Sequence, residues 1–393
     1  MRICLFTDSF LPYISGVSSA VFNQANELAS RGHEISIFYP RPNREDRLVQ
    51  IAGLDPRIKL FGLPFSVPIP NVPKLRFSVP LFLSTYRRLN ISPPDLIHVH
   101  TEFGCGLEGM LLGRLKRIPV VGTFHTFFAE PEYLKQFHIP NFAFTRKAMW
   151  KYSVTFFNRF SHIVSPSKSV RENLVKRGLS KSTTLLSNGI ERIDFRPESE
   201  IREFRQSLGI DDFAFIYVGR ISPEKSLDML IDAFAQVTRV NPKAKLVIVG
   251  AGPSDPDIDK QLASLEMEDS VVRVGRIERD ILMKENYPLL GDVFITASKT
   301  ENQPVSLLEA MAFGLPMIGP RAKGIPEVVT HGDDGLIFEP DDECAMANAM
   351  VRLMKDDSLR LQLSAAAKHN ANEHRIDRVG DKLESIYLEV IES

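Results

Sequence analysis

Cysteine is scarce in this chain: three in 393 residues, Cys4, Cys105 and Cys344, with no metal-ligand or redox spacing among them. That excludes a disulfide framework and favours a reducing compartment. Long apolar runs are missing as well. No window approaches the roughly 18–20 uninterrupted apolar residues of a membrane span. The amino-terminal run Ile3–Phe6 stops short of Asp8, too soon for a secretory signal. The expectation is a soluble, cytoplasmic protein. Glycine (23) and proline (26) sit near ordinary usage, which removes collagen-like and low-complexity classes. Nor does either charge dominate. With 48 basic and 49 acidic residues the net charge is −1, which on its face argues against nucleic acid or an anionic membrane as partner.

What is present is alternation. Short β-branched runs exchange with longer helical patterns, the mark of parallel sheets with crossover helices. Strands are expected at Arg2–Thr7, Glu34–Tyr39, Asp95–His100, Pro119–Phe124, His162–Ser165 and Thr183–Leu186. A second series follows at Phe213–Val218, Lys245–Val249, Ser270–Val274, Asp292–Thr296, Pro316–Ile318 and Gly335–Phe338. A helix over Val17–Arg31, stopped by Gly32, separates the first two strands. This predicts an α/β protein of two Rossmann-like domains, 1–195 and 196–374, joined in the turn-rich Asn188–Pro197. A last helix, Arg375–Ile391, follows the final strand. Pro64–Pro80 carries five prolines, which forbid a regular helix or central strand and predict a long loop.

Three motifs could carry chemistry. Gly219-Arg220-Ile221-Ser222-Pro223-Glu224-Lys225 follows a strand directly. Ser222 reads as a helix N-cap and Pro223 as the first helical residue. A helix start beside Arg220 and Lys225 suits diphosphate, the arginine as a fork and the lysine as a point charge. The second motif runs from Glu301 through Asn302, Gln303, Pro304, Val305 and Ser306 to Glu309. A carboxylate at a strand tip and another on the following helix suit sugar hydroxyls, since each accepts two strong hydrogen bonds. The plainer alternative is that these acids only complement a helix dipole. The third, Gly122–Thr126, places His125 at a strand's carboxyl end, where open α/β sheets bind ligands. Asp8 and Gly16 follow the first strand in the same manner. Gly250-Ala251-Gly252 is an incomplete dinucleotide fingerprint, with Asp255 three residues on. No metal-ligand spacing occurs, so neither hydride chemistry nor a resident metal is expected.

Together these residues resemble the retaining two-domain glycosyltransferases of the GT-B fold, family 4. The matching pieces are Phe6–Pro12 with Gly16-Val17, Gly122–Thr126, Ser165-Pro166-Ser167, Asn188-Gly189-Ile190, Gly219–Lys225 and the Glu301…Glu309 pair running on to Pro316. The resemblance implies parallel sheets facing a central cleft, with the terminal helix returning to the first domain. It implies that Arg220 and Lys225 hold the donor diphosphate and that Glu301 contacts the donor sugar. Amides around Gln303, Pro304, Val305 and Ser306 would help, Glu309 would bind the ribose, and Arg276 and Ile277 would frame the base. Gly16 would admit the donor, and His125 would stand by the reacting sugar. Asp8, His125 and Glu102 are the acceptor-side candidates. No cofactor or metal is implied beyond the nucleotide sugar itself. The chain departs from many relatives at Ser15-Gly16, where they carry two glycines, and at Asn302-Gln303-Pro304, close to the donor sugar. UDP-glucose is the favoured donor, GDP-mannose the alternative, and a nucleotide-sugar epimerase a more distant one.

Near-neutrality conceals polarity. Residues 1–195 hold 25 Lys and Arg against 14 Asp and Glu, net +11, and 196–393 hold 23 against 35, net −12. Within the basic half, 56–94 and 133–171 contain no acid. The second of these interleaves bases with Phe142, Phe144, Trp150, Tyr152, Phe156, Phe157 and Phe160. Basic residues and aromatics suit an anionic membrane surface. The expectation is therefore a peripheral enzyme on the inner face of the membrane, acting on a lipid or glycan acceptor such as diacylglycerol. Nucleic-acid binding is not expected, because no recognition motif accompanies the charge.

Overall fold

The computed structural model describes all residues except 12, 14, 44–52, 70–73, 126–133 and 135–138. Pro12, Thr126, Pro70 and Pro73 of the proline-rich stretch, and part of the 133–171 stretch therefore lie outside the described residues. The chain divides into two compact units: Met1–Gly189 with Ile376–Ser393, and Ile190–Arg375. The division falls within Asn188–Pro197, a few residues before the expected 195/196.

The described residues of the first unit form nine strands: β1 (Arg2–Phe6), β2 (Glu34–Pro40), β3 (Lys59–Leu63), β4 (Ser66–Pro68), β5 (Arg76–Ser78), β6 (Leu96–Val99), β7 (Val120–Thr123), β8 (His162–Ser165) and β9 (Thr183–Leu185). Seven form one parallel sheet in the order β3-β2-β1-β6-β7-β8-β9. The inner strands β6, β7 and β8 are buried along their whole length, as parallel strands covered on both faces must be. Strand order reverses between β1 and β6, so the segments that follow these strands flank the topological switch point, where such sheets bind ligands.

Strand β3 was not anticipated, because Lys59-Leu60-Phe61-Gly62-Leu63 offers no β-branched run. The proline-rich stretch is not all loop either. β4 and β5 pair antiparallel outside the main sheet, where Pro68 needs no ladder partner for its missing N–H.

The Gly16–Ser30 helix starts with a capping box between Ser15 and Ser18. It ends at Gly32, whose φ of +87° lets the chain turn away. Against it lies the carboxyl-terminal helix Ile376–Glu392, which buries Val379, Leu383, Ile386, Tyr387 and Val390 in the first unit's core. Arg31 fastens the pair, donating to Glu27 at 2.6 Å, to Asp381 at 2.6 Å and to the Asp377 carbonyl at 2.6 Å.

The second unit has six parallel strands: β10 (Ala214–Val218), β11 (Lys245–Val249), β12 (Val271–Gly275), β13 (Val293–Ile295), β14 (Met317–Pro320) and β15 (Gly335–Phe338). Their order is β12-β11-β10-β13-β14-β15, with helices and apolar cores on both faces. The reversal here lies between β10 and β13, which pair directly.

Candidate functional site

The segments after β10 and β13 carry the first two motifs, so adjacent strands deliver them to the switch point of the second sheet. The Lys225 ammonium forms an ion pair with the Glu301 carboxylate. Both side chains are mostly buried, at 18% and 19% exposure, which keeps the pair out of bulk water and strengthens it. Arg220 reaches Glu224 at 3.1 Å and Ser222 at 3.2 Å. Its carbonyl accepts from the Tyr217 hydroxyl at 2.8 Å, which anchors the loop to β10.

The local fold corrects one expectation. Ser222 does not cap an α-helix. Pro223–Lys225 is a single 3-10 turn, and the α-helix begins four residues late, at Leu227, after Ser226 takes a φ of +50°. The Ser222 hydroxyl instead donates to Glu224 at 2.6 Å. No long helix dipole is therefore aimed at this loop, and its positive charge comes from Arg220 and Lys225.

The Gly250-Ala251-Gly252 turn is explained by packing. A Cβ on Gly250 would stand 1.8 Å from the Gly219 carbonyl oxygen, and one on Gly252 would stand 2.0 Å from that of Ile221. These glycines let the β11 turn press against the Arg220 loop.

Beyond Glu301 the chain enters the Val305–Ala312 helix, whose amino end lacks a side-chain cap at Pro304. Asn302, Gln303, Pro304 and Val305 are buried and Ser306 is partly exposed. Glu309 lies buried on this helix and accepts from Arg279 at 2.8 and 3.1 Å. Arg279 also meets Glu191 at 3.3 Å. Burial pushes the Glu309 carboxyl upward, while the adjacent guanidinium pulls it down. Sequence reading missed Arg279, since nothing in its local pattern separates it from a surface arginine. Arg276 and Ile277 follow β12, at the same end of the sheet, with Arg276 exposed and 3.8 Å from Glu278.

In the first unit, Gly16 is exposed at the first position of its helix. Ser15, standing where relatives have glycine, serves as the N-cap and meets Ser9 at 2.8 Å. Asp8 does not face outward. Its buried carboxylate accepts from Thr101 at 2.8 Å, from the Ser78 amide at 3.1 Å and from the Cys105 amide at 3.0 and 3.1 Å. It thus caps the Gly104–Lys116 helix, which opens with Gly104-Cys105-Gly106-Leu107-Glu108-Gly109. That Gly-x-Gly-x-x-Gly also went unread, and it too serves packing. A Cβ on Gly104 or Gly106 would lie 1.7 Å from a carbonyl oxygen of Ser78 or Thr101. Asp8 is thus held by the protein's own donors.

Glu102 and His125, the other two acceptor-side candidates, are also engaged within the first unit. Glu102 is buried and accepts from Ser153 at 2.5 Å, and burial raises its carboxyl to about 7. His125 follows β7 and shares a hydrogen bond of 3.1 Å with His100, the residue after β6. Burial lowers His125 to about 4 and His98 to about 3, so both rings are neutral at physiological pH.

The basic stretches divide on inspection. Phe156, Phe157 and Phe160 are core, and Trp150 packs against that core beneath Arg177. Phe142 and Phe144 are exposed at 68% and 81%, and Leu83 and Ile91 at 61% and 86%. No group of three or more His, Cys, Asp or Glu able to hold a metal occurs among the described residues. Nor is any described helix long and apolar enough to cross a membrane.

Two family models match the chain, Glycosyltransferase Family 4 over residues 14–192 and Glycosyl transferases group 1 over residues 200–370. The alpha-monoglucosyldiacylglycerol synthase of Acholeplasma laidlawii is 27% identical, over 100% of this chain and 98% of that protein. A GDP-mannose-dependent alpha-mannosyltransferase of Corynebacterium glutamicum is 25% identical, over 100% of this chain and 89% of that protein. Among solved structures, Anabaena HepE in complex with UDP-glucose superposes with a TM-score of 0.78 at 20% identity, covering 99% of this chain and 100% of that one. The two doubly wound sheets and the two matches, which between them run from residue 14 to residue 370, lead to one conclusion: the chain belongs to the GT-B glycosyltransferases, with a family 4 first unit and a group 1 second unit.

Proposed function

We propose that this glycosyltransferase moves a hexosyl group, with retention, from UDP-glucose to a lipid acceptor of the diacylglycerol type. The observation that carries the reading is the convergence of Arg220, Lys225 and Glu301 on the switch point between β10 and β13. Arg220 and Lys225 meet the charge that builds on the departing diphosphate, so no metal is required. Glu301, the ion-pair partner of Lys225, accepts hydrogen bonds from the sugar hydroxyls. Glu309, oriented by Arg279, accepts from the ribose. Amides from Gln303 to Ser306 and the Arg276-Ile277 segment complete the second unit's donor site.

The first unit receives the acceptor, with Glu102 and His125 as its polar candidates. His125 hydrogen-bonds the reacting sugar. The diacylglycerol class rests on similarity along the full chain to a monoglucosyldiacylglycerol synthase. It also rests on Phe142, Phe144, Leu83 and Ile91, exposed within acid-free basic stretches. Such a surface suits peripheral attachment to the anionic inner leaflet.

The second reading, a GDP-mannose-dependent mannosyltransferase acting on a glycolipid or polysaccharide, is favoured by full-length similarity to an enzyme of that name. One plate separates the two: nucleotide release from UDP- and GDP-sugars, with and without dioleoylglycerol in mixed vesicles. The expected result is release from UDP-glucose that rises with acceptor. Release from GDP-mannose alone would replace the first reading with the second.

A further inference from the structure

Behind His125 runs a line of buried polar rings that the roles above do not use. His100 Nδ1 lies 3.1 Å from His125 Nε2. The His100 ring packs against that of His98, tilted by 35° with centroids 4.0 Å apart. His98 is closed at both ends: Nδ1 meets the Tyr387 hydroxyl at 2.6 Å and Nε2 meets Thr123 Oγ1 at 2.7 Å. His98 and His100 are 0% and 1% exposed, and Tyr387 is 0% exposed. Tyr387 belongs to the returning Ile376–Glu392 helix, so that helix supports the ring on which His100 rests.

One atom breaks the symmetry. His100 Nε2 is buried and has no hydrogen-bond partner among the described residues. Desolvation holds His100 neutral, as it does His98 and His125. A neutral imidazole has one N–H donor and one lone pair. Placing the proton on His100 Nε2 would bury an orphaned N–H, which folded proteins tolerate less readily than an unused lone pair. The proton therefore sits on Nδ1 and points at His125 Nε2. His125 Nε2 must then accept, which leaves the His125 proton on Nδ1.

We infer that His100 is a positioning residue that fixes both the orientation and the tautomer of His125, so that His125 presents Nδ1–H as a hydrogen-bond donor and cannot act as a base through Nε2. The inference rests on the proposed transferase role for its activity readout, but the tautomer stands independently of it. Thr123, His98 and Tyr387 form the packed backing that keeps the His100 ring in register.

The test uses full-length protein with 15N-labelled histidine, and three versions: wild type, His100→Phe and His100→Asn. Phe keeps a ring packed against His98 and loses the donor, whereas the Asn amide can replace Nδ1–H. Ring-nitrogen spectra are expected to show His125 protonated at Nδ1 in the wild type and in His100→Asn, with the Nε2–H form gaining in His100→Phe. With UDP-glucose and dioleoylglycerol vesicles, kcat should fall about tenfold or more in His100→Phe, the scale of a misplaced group. The donor KM should stay within about twofold, and His100→Asn should recover most of the rate. An Nε2–H His125 in the wild type overturns the inference. So does a His125 spectrum left unchanged by His100→Phe. If His100→Phe does not fold, the wild-type and His100→Asn spectra decide alone. A wild type that transfers nothing while His125 is protonated at Nδ1 upholds the positioning role and overturns only the transferase roles.

Discussion

At the scale of single residues, burial governs the first unit and charge pairing governs the second. Glu102 shows the first effect. Its unfolded carboxyl has the usual value of 4.5 and its folded one about 7, so across that window the native state keeps a proton that the unfolded chain releases. Stability from this group is full below pH 4.5 and lost as pH rises through 7. Glu102→Gln removes that slope. The variant is expected to gain on the wild type by about 2 kcal/mol between pH 5 and pH 8 in urea denaturation, and an equal difference at both pH values contradicts the assignment. The buried histidines tilt the opposite way. His98 and His125 have folded values of about 3 and about 4, so their contribution is present above 6.5 and fades as pH falls. Which residues were legible follows from the same division. Arg220, Lys225, Glu301 and Glu309 could be read because their types and spacing are local. His100 and Arg279 could not, because each gains its meaning from a partner 25 or 30 residues away. Asp8 was visible, but its partners Ser78, Thr101 and Cys105, 70 to 97 residues away, were not.

At the scale of elements, the central strands were plain in the sequence because parallel strands buried on both faces read as continuous apolar runs. The edge strand β3 and the β4–β5 pair lacked that signal, and the late start of the Leu227–Thr238 helix was hidden by a serine and a proline that mimic a cap. The returning helix has the clearest energetic consequence. It buries Val379, Leu383, Ile386, Tyr387 and Val390, each contributing about 1.5–3 kcal/mol. Their sum rivals the entire stability of a typical domain, about 5–15 kcal/mol. Deleting 376–393 is therefore expected to abolish cooperative unfolding of the first unit. Leu383→Ala should cost about 2–5 kcal/mol, read as a lower urea midpoint. A truncated chain with an unchanged melting profile would show that the helix is an accessory.

At the scale of the whole molecule, a net charge of −1 divides into opposed units. Once the terminal helix is assigned by the fold, the first unit holds 26 bases and 17 acids, and the second 22 and 32. The helix brings five acids into the basic unit, so the contrast is slightly softer than the linear halves imply. A unit of net +9 with exposed Phe142 and Phe144 should co-sediment with anionic vesicles at low salt and release as salt rises. Phe142→Ser with Phe144→Ser should weaken that binding, and equal recovery on neutral vesicles would remove the membrane from the account. The central claim concerns the second unit, and transfer of labelled glucose from UDP-glucose to dioleoylglycerol tests it most directly. Wild-type enzyme should form the glycolipid, while Lys225→Ala and Glu301→Gln, each with wild-type thermal unfolding, should lose at least about a hundredfold in rate. Wild-type turnover in either folded variant would contradict the account.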